Sequence, residues 1–170
     1  MGLLGAAAGV VTASLLAHAP YHVNATYGRP LLFPLLLLLA GVMVWSRTLD
    51  ARSHRWGRPA VALTLFGLGV NSVGLVGDYW IGESRSLLLW RLGFLCDIVG
   101  GCAALAGSTA LGIVVRGAPE WRLGLAGVIP LTAALAFVLN GYVPSFPIAG
   151  LCLVWGATFA ASLQEMRRAH

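Results

Sequence analysis

Long apolar segments alternate with short polar connections along the whole chain. A transmembrane helix needs about 17–25 apolar residues, and most of these segments are about that long. The pattern therefore predicts an all-α integral membrane protein, a compact bundle of six transmembrane helices that forms a single domain over 1–170. The expected helices are 2–19, 30–46, 59–80, 88–115, 123–143 and 148–163.

The first segment also resembles a signal peptide, because Ala17-His18-Ala19 has the small-residue form of a cleavage site. Two features oppose cleavage: no basic residue precedes the apolar run, and Pro20 would directly follow the cut. We therefore expect this segment to stay as a short transmembrane helix. In the second segment, residues 35–39 form an unbroken leucine run, so this helix is expected to face lipid.

Arginines are distributed unevenly between alternate connections. Eight lie in the connections that share a side with the C-terminus, and three lie on the opposite side. The eight are Arg47, Arg52, Arg55, Arg58, Arg116, Arg122, Arg167 and Arg168. Because basic residues concentrate on the cytoplasmic side, both termini are expected to be cytoplasmic.

Composition supports the membrane assignment. Of the 170 residues, 58% are hydrophobic and 10% are charged, and the mean hydropathy is +0.83; soluble domains carry about 25% charged residues. The net charge of +5 reflects arginines in connections, so nucleic-acid binding is not expected. Lysine is absent while Ala, Gly, Leu and Arg are abundant, a bias that indicates a GC-rich bacterial genome. We therefore expect the protein in the cytoplasmic membrane of such a bacterium.

The third and fourth segments carry most of the polar side chains. Asn71 and Asp78 lie seven residues apart and therefore share one helical face. The same face carries Ala60, Thr64, Gly67 and Gly74, and the fourth segment repeats the pattern with Trp90, Phe94, Asp97, Gly101, Ala104 and Ser108. Small residues at this spacing, including Gly93, Gly100 and Gly107, let helix backbones approach closely in lipid. We expect Asn71 and Asp97 to face each other and form a hydrogen bond.

Asp97 is expected to lie deep in the membrane, roughly 10–14 Å from the turn at about 1.5 Å per residue. A bare carboxylate there costs about 2.5–3.5 kcal/mol or more, so Asp97 must be protonated, paired or hydrated. Arg91 is the nearest cation in sequence but lies off the Asp97 face. Two roles remain open and equally weighted: an interhelical structural bond, or a ligand, proton or catalytic site.

Metal and redox chemistry have weak support. His18 and His22 are spaced to bind a metal from one helix face, but no third ligand accompanies them. Cys96, Cys102 and Cys152 form no CxxC pair and fall in apolar segments. We read the cysteines as small packing residues and expect no metal and no cofactor.

In the predicted topology, polar and aromatic side chains gather toward the outer side. We therefore expect a polar, aromatic-lined pocket open to the outer leaflet that binds or transports a small amphipathic ligand. Aromatic rings and carboxylates suit a cationic or amphipathic molecule. The expected ligand-binding residues are Asn71, Asp78, Trp80, Glu83, Arg91, Asp97, Asn140, His18, His22 and Tyr21.

Two other functions stay open. One is an accessory or assembly subunit of a larger membrane complex, since the connections are short and small-residue stripes are abundant. The other is a membrane-embedded isomerase or cyclase acting on a lipophilic substrate, with Asp97 as general acid and Asp78 as its partner or base. Membrane lipid is an expected partner in each case, as is a second copy of the chain or a larger complex.

Overall fold

The computed structural model describes residues 2–18, 28–48, 57–114 and 145–168. Within these ranges the chain is helical and contains no β-strand, which confirms the all-α class. The α-helices are α1 (Gly2–His18), α2 (Leu32–Thr48), α3 (Gly57–Leu75), α4 (Leu87–Val114) and α5 (Ser145–Arg168). A 3-10 turn, Arg29–Leu31, leads into α2, and a π-helical turn, Val76–Ile81, extends α3.

Three of the described helical stretches are long and apolar enough to cross a membrane. They are Arg29–Arg47, Gly57–Ile81 and Leu87–Val114. The apolar parts of α1 and α5 are shorter, and the expected helix 123–143 lies outside the described residues. The described helices thus fit a membrane-embedded protein, whereas the six spans and the cytoplasmic termini remain predictions.

Helix α1 packs against both α2 and α5. Glycines bring the backbones close: a Cβ added at Gly5 would lie 2.9 Å from the Leu38 backbone nitrogen, and one at Gly9 would overlap the Cys152 sulfur. Buried side chains complete this part of the core, among them Ala6, Ala13, Leu31, Leu35, Leu38, Val42, Leu151 and Trp155. Close backbone packing through small residues is the usual way that helices associate in lipid.

The leucine run of α2 has both buried and exposed members, and the expectation that this helix faces lipid stays a prediction. Leu35 and Leu38 are almost completely buried, whereas Leu36 and Leu37 are exposed. The run is therefore divided by ordinary helical periodicity, with one side in the core.

The cysteines differ in their surroundings. Cys152 is fully buried and Cys96 is half-buried, while Cys102 is exposed on α4; all three are free thiols. A packing role is confirmed for Cys152 and is wrong for Cys102 within the described structure.

Helices α3 and α4 form an antiparallel hairpin with the most extensive helix–helix contact among the described elements. Its seam is made of glycines that meet backbone on the opposite helix, as the small-residue stripes predict. The facing pairs are Gly67 with Ala104, Gly74 with Asp97, Gly77 with Gly93, Gly100 with Asn71 and Gly107 with Thr64. Any side chain at these glycines would overlap the opposite backbone, so the seam is closed to bulky groups.

The connection between α3 and α4 is short and internally bonded. Gly82 has φ +69°, which glycine adopts without steric cost, and its N–H donates to the Gly77 carbonyl at 3.1 Å. The Ser86 hydroxyl accepts from the Leu89 N–H at 3.3 Å at the start of α4. This turn fixes the register that brings Asn71 opposite Asp97.

Helix α5 joins the two parts of the bundle through Trp155. Its indole N–H donates to the Ser108 hydroxyl of α4 at 3.1 Å, and both residues are buried. Its ring packs edge-on against Trp45 of α2, with centroids 5.2 Å apart and an interplanar angle of 82°. Trp155 therefore contacts both α2 and α4.

Candidate functional site

A buried amide–carboxyl pair lies at the centre of the α3–α4 hairpin. Asn71 Nδ2 donates to Asp97 Oδ1 at 2.6 Å and to the Asp97 carbonyl oxygen at 2.9 Å. Asn71 is 3% exposed and Asp97 is 4% exposed. The hydrogen bond expected from the heptad spacing is therefore confirmed.

The two contacts of Nδ2 determine which way the Asn71 amide points. A backbone carbonyl oxygen only accepts hydrogen bonds, so the atom that lies 2.9 Å from the Asp97 carbonyl must be nitrogen. The amide oxygen, Oδ1, consequently points away from that carbonyl. It is buried, and no described residue donates to it. Sequence reasoning predicted the pair but missed this unpartnered acceptor, because spacing carries no information on side-chain rotamers.

A second carboxyl lies nearer the end of the hairpin. Asp78 is half-buried in the π-helical turn, and the Trp90 indole forms a hydrogen bond with its carboxylate. Asp78 is also close enough to Asp97 for the two carboxyls to interact electrostatically. Single π-helical turns occur often at functional sites. The polar site thus contains two acids at different depths.

Aromatic rings near Asp78 are already engaged with neighbours. Trp90 stacks on Phe94 with centroids 6.3 Å apart and an interplanar angle of 24°, and its only side-chain N–H belongs to the Asp78 bond. The Tyr79 ring lies directly against Gly28, where any Cβ would overlap it. Each of these two rings therefore has at least one side in contact with another part of the protein.

Arg29 forms a hydrogen bond with the π-helical turn. Its Nε donates to the Tyr79 carbonyl oxygen at 2.9 Å, although the two residues are 50 positions apart. Arg29 is one of the three arginines expected on the side opposite the C-terminus, and no local signal in the sequence could have identified this contact. The bond ties the start of α2 to the end of α3.

The remaining expected site residues are divided between exposed positions and undescribed ones. Trp80 is 42% exposed, and Glu83 and Arg91 are also exposed. None of the three approaches the Asn71–Asp97 pair through a described hydrogen bond. Tyr21, His22 and Asn140 lie outside the described residues, as does the side chain of His18.

The described side chains contain no group of three or more His, Cys, Asp or Glu residues arranged to hold a metal ion. Around Asp97 the described contacts are the Asn71 amide and a second acid, and no arginine pairs with it there. The arrangement therefore offers oxygen acceptors and negative charge. Such a site can bind a positively charged or hydrogen-donating group, or hold a proton.

Comparison of the chain with protein-family models, with curated protein sequences and with solved structures gave no match.

Proposed function

We propose that this protein binds or transports a small amphipathic ligand whose polar, positively charged head occupies the Asn71–Asp78–Asp97 site. One observation carries the proposal: Asp97 is 4% exposed and lacks a cationic partner among the described residues. A ligand that carries a positive charge would complement this site.

A charged Asp97 needs more stabilisation than the Asn71 bond supplies. Placing a charged carboxyl at the centre of a bilayer costs about 2.5–3.5 kcal/mol on insertion scales, whereas an interhelical hydrogen bond returns on average about 0.6 kcal/mol. The Asn71 bond alone therefore does not offset a charged Asp97. A cationic head group beside the carboxylate would supply the remainder, and uptake of a proton is the other way to remove this cost.

The exposure of the polar residues decreases from the hairpin turn toward Asp97, which supports entry of the ligand from the turn. Trp80 is exposed, Asp78 is half-buried and Asp97 is buried. Apolar side chains on the adjoining turn of α4 are exposed, including Leu88 at 68%. A ligand with its head at Asp97 would place an apolar tail against this surface.

The proposal includes the finer topology expected from the arginine distribution. The chain forms six transmembrane helices in the cytoplasmic membrane of a GC-rich bacterium, with both termini in the cytoplasm. The hairpin turn then lies on the outer side, and the site opens to the outer leaflet. Assembly with a second copy or with a larger membrane complex is compatible with this arrangement.

Native mass spectrometry of the gently extracted protein tests the proposal. We expect a co-purified small molecule on the wild-type protein and its loss in Asp97→Asn. The matched control is Ser72→Ala, because the described hydrogen bond of the Ser72 hydroxyl is to the Leu68 carbonyl of its own helix, at 2.8 Å. A partner protein retained in every variant, with no small molecule, would instead favour the accessory-subunit function and leave Asp97 as a structural residue.

The proximity of two carboxyls supports one further candidate, a membrane-embedded isomerase or cyclase. Asp97 would donate a proton to a lipophilic substrate and Asp78 would accept one. Comparison of lipid extracts from cells that express wild type or Asp97→Asn would reveal such an activity as a product isomer present only with wild type. Identical extracts would remove this candidate.

A further inference from the structure

We propose that the ligand head is an ammonium group with N–H donors, and that Asn71 selects it over a quaternary ammonium group. This inference rests on the proposed function and specifies its ligand class. It is carried by the buried Asn71 Oδ1, to which no described residue donates.

The geometry places an unused acceptor beside a negative charge. The Asn71 amide bonds Asp97 through Nδ2, so Oδ1 of the same amide lies close to the Asp97 carboxyl. A carboxylate has about four lone-pair positions, and the Asn71 bond uses one of those on Oδ1 of Asp97. A primary ammonium carries three N–H donors and can bond both residues at once.

A quaternary ammonium group fits this site poorly for two reasons. It has no N–H donor, so it would leave the buried Asn71 oxygen unpaired. Proteins usually recognise such groups with several aromatic faces around the cation, whereas one face of Trp90 is stacked on Phe94 and the Tyr79 ring packs against Gly28. Hydrogen bonding therefore replaces an aromatic enclosure as the basis of recognition.

Size points in the same direction. The backbones of α3 and α4 are in contact at Gly74–Asp97 and at Gly100–Asn71, on either side of the polar pair. A trimethylammonium head would need several ångströms of space in this region. An ammonium head is smaller than a trimethylammonium head by three methyl groups, so this close packing excludes it less.

The test compares two amphipathic cations of equal tail length. Full-length protein in nanodiscs is titrated by isothermal calorimetry with octylammonium and with octyltrimethylammonium, and octanol measures tail partitioning alone. We expect octylammonium to bind at least about tenfold more tightly, because a site built around hydrogen bonds rejects an analogue that lacks the donor. Asn71→Leu is expected to reduce octylammonium affinity to the level of octyltrimethylammonium.

The outcomes separate this inference from the proposed function. Equal binding of both cations, lost in Asp97→Asn, would overturn the selection by Asn71 while supporting a cation site at Asp97. Binding of neither cation in an Asp97-dependent way would overturn the proposed function and this inference together. If Asn71→Leu does not fold, the wild-type preference still decides, and Asn71→Ser provides a smaller side chain for the same comparison.

Discussion

Gly77 and Gly93 lie back to back across the α3–α4 hairpin. A Cβ on either residue would fall 2.6 Å from the Cα of the other, a separation that real Cβ atoms do not adopt. The polar site is immediately adjacent, because Asp78 follows Gly77 and a Cβ at Gly93 would also lie 2.8 Å from the Asp78 nitrogen. The distance between the backbones of α3 and α4 therefore determines the position of Asp78 relative to α4.

We expect Gly93→Ala to lower the free energy of unfolding by about 1–3 kcal/mol, the usual range for overpacking. The added methyl group meets backbone atoms, which cannot rotate away as a flexible side chain can. Thermal unfolding in detergent measures the effect. Gly69→Ala is the matched control, because a Cβ there has open space and alanine favours the helix. Equal stability of both variants would contradict the close approach.

A double-mutant cycle at Asn71 and Asp97 should show energetic coupling. Each single change to leucine removes the 2.6 Å bond and leaves its partner buried, whereas the double change removes both polar groups. We expect a coupling free energy of about 0.6–1.7 kcal/mol, as for other interhelical bonds in membranes. Additive effects in chemical unfolding would show that the two side chains do not interact.

Ser108→Ala should destabilise the contact between α4 and α5. It removes the acceptor of the buried Trp155 indole N–H, and a buried donor without a partner costs about 1–3 kcal/mol. Thr12→Ala is a suitable control, because the described hydrogen bonds of the Thr12 hydroxyl are to carbonyls of its own helix. A loss of stability no greater than that of Thr12→Ala would argue against the interhelical bond.

Arg29→Ala should loosen the π-helical turn without unfolding the bundle. Removal of the bond to the Tyr79 carbonyl frees the end of α3 from the start of α2. We expect faster hydrogen exchange of backbone amides in Val76–Ile81 and unchanged exchange in the middle of α4. Arg58→Ala, another exposed arginine, controls for the loss of positive charge. Unchanged exchange at the turn would show that Arg29 does not restrain it.

Sequence reasoning was most successful where polar residues interrupt an apolar helix. Asn71 and Asp97 are polar residues among apolar neighbours. The short turn between their helices sets a register that brings the two side chains together. Glycine spacing likewise predicted the close seam at Gly93 and Gly100, since small residues permit backbone contact.

Prediction failed where the sequence offers no polar contrast or only distant partners. A leucine side chain suits contact with lipid as well as contact with the protein core. The run 35–39 therefore does not indicate which of its side chains are buried. The π-helical turn depends on backbone bonding that heptad spacing does not encode. The Arg29–Tyr79 bond joins residues 50 positions apart, and it follows only from how the helices are arranged.

The glycine seam also bears on how the chain enters the bilayer during synthesis. Glycines have no side-chain rotamers to restrict, and α3 and α4 are neighbours in sequence, so their association requires only local loop closure. The two helices are thus suited to leave the translocon together. Partitioning as a preformed pair would let Asp97 enter lipid already bonded to Asn71, which lowers the barrier that a lone acidic helix would face.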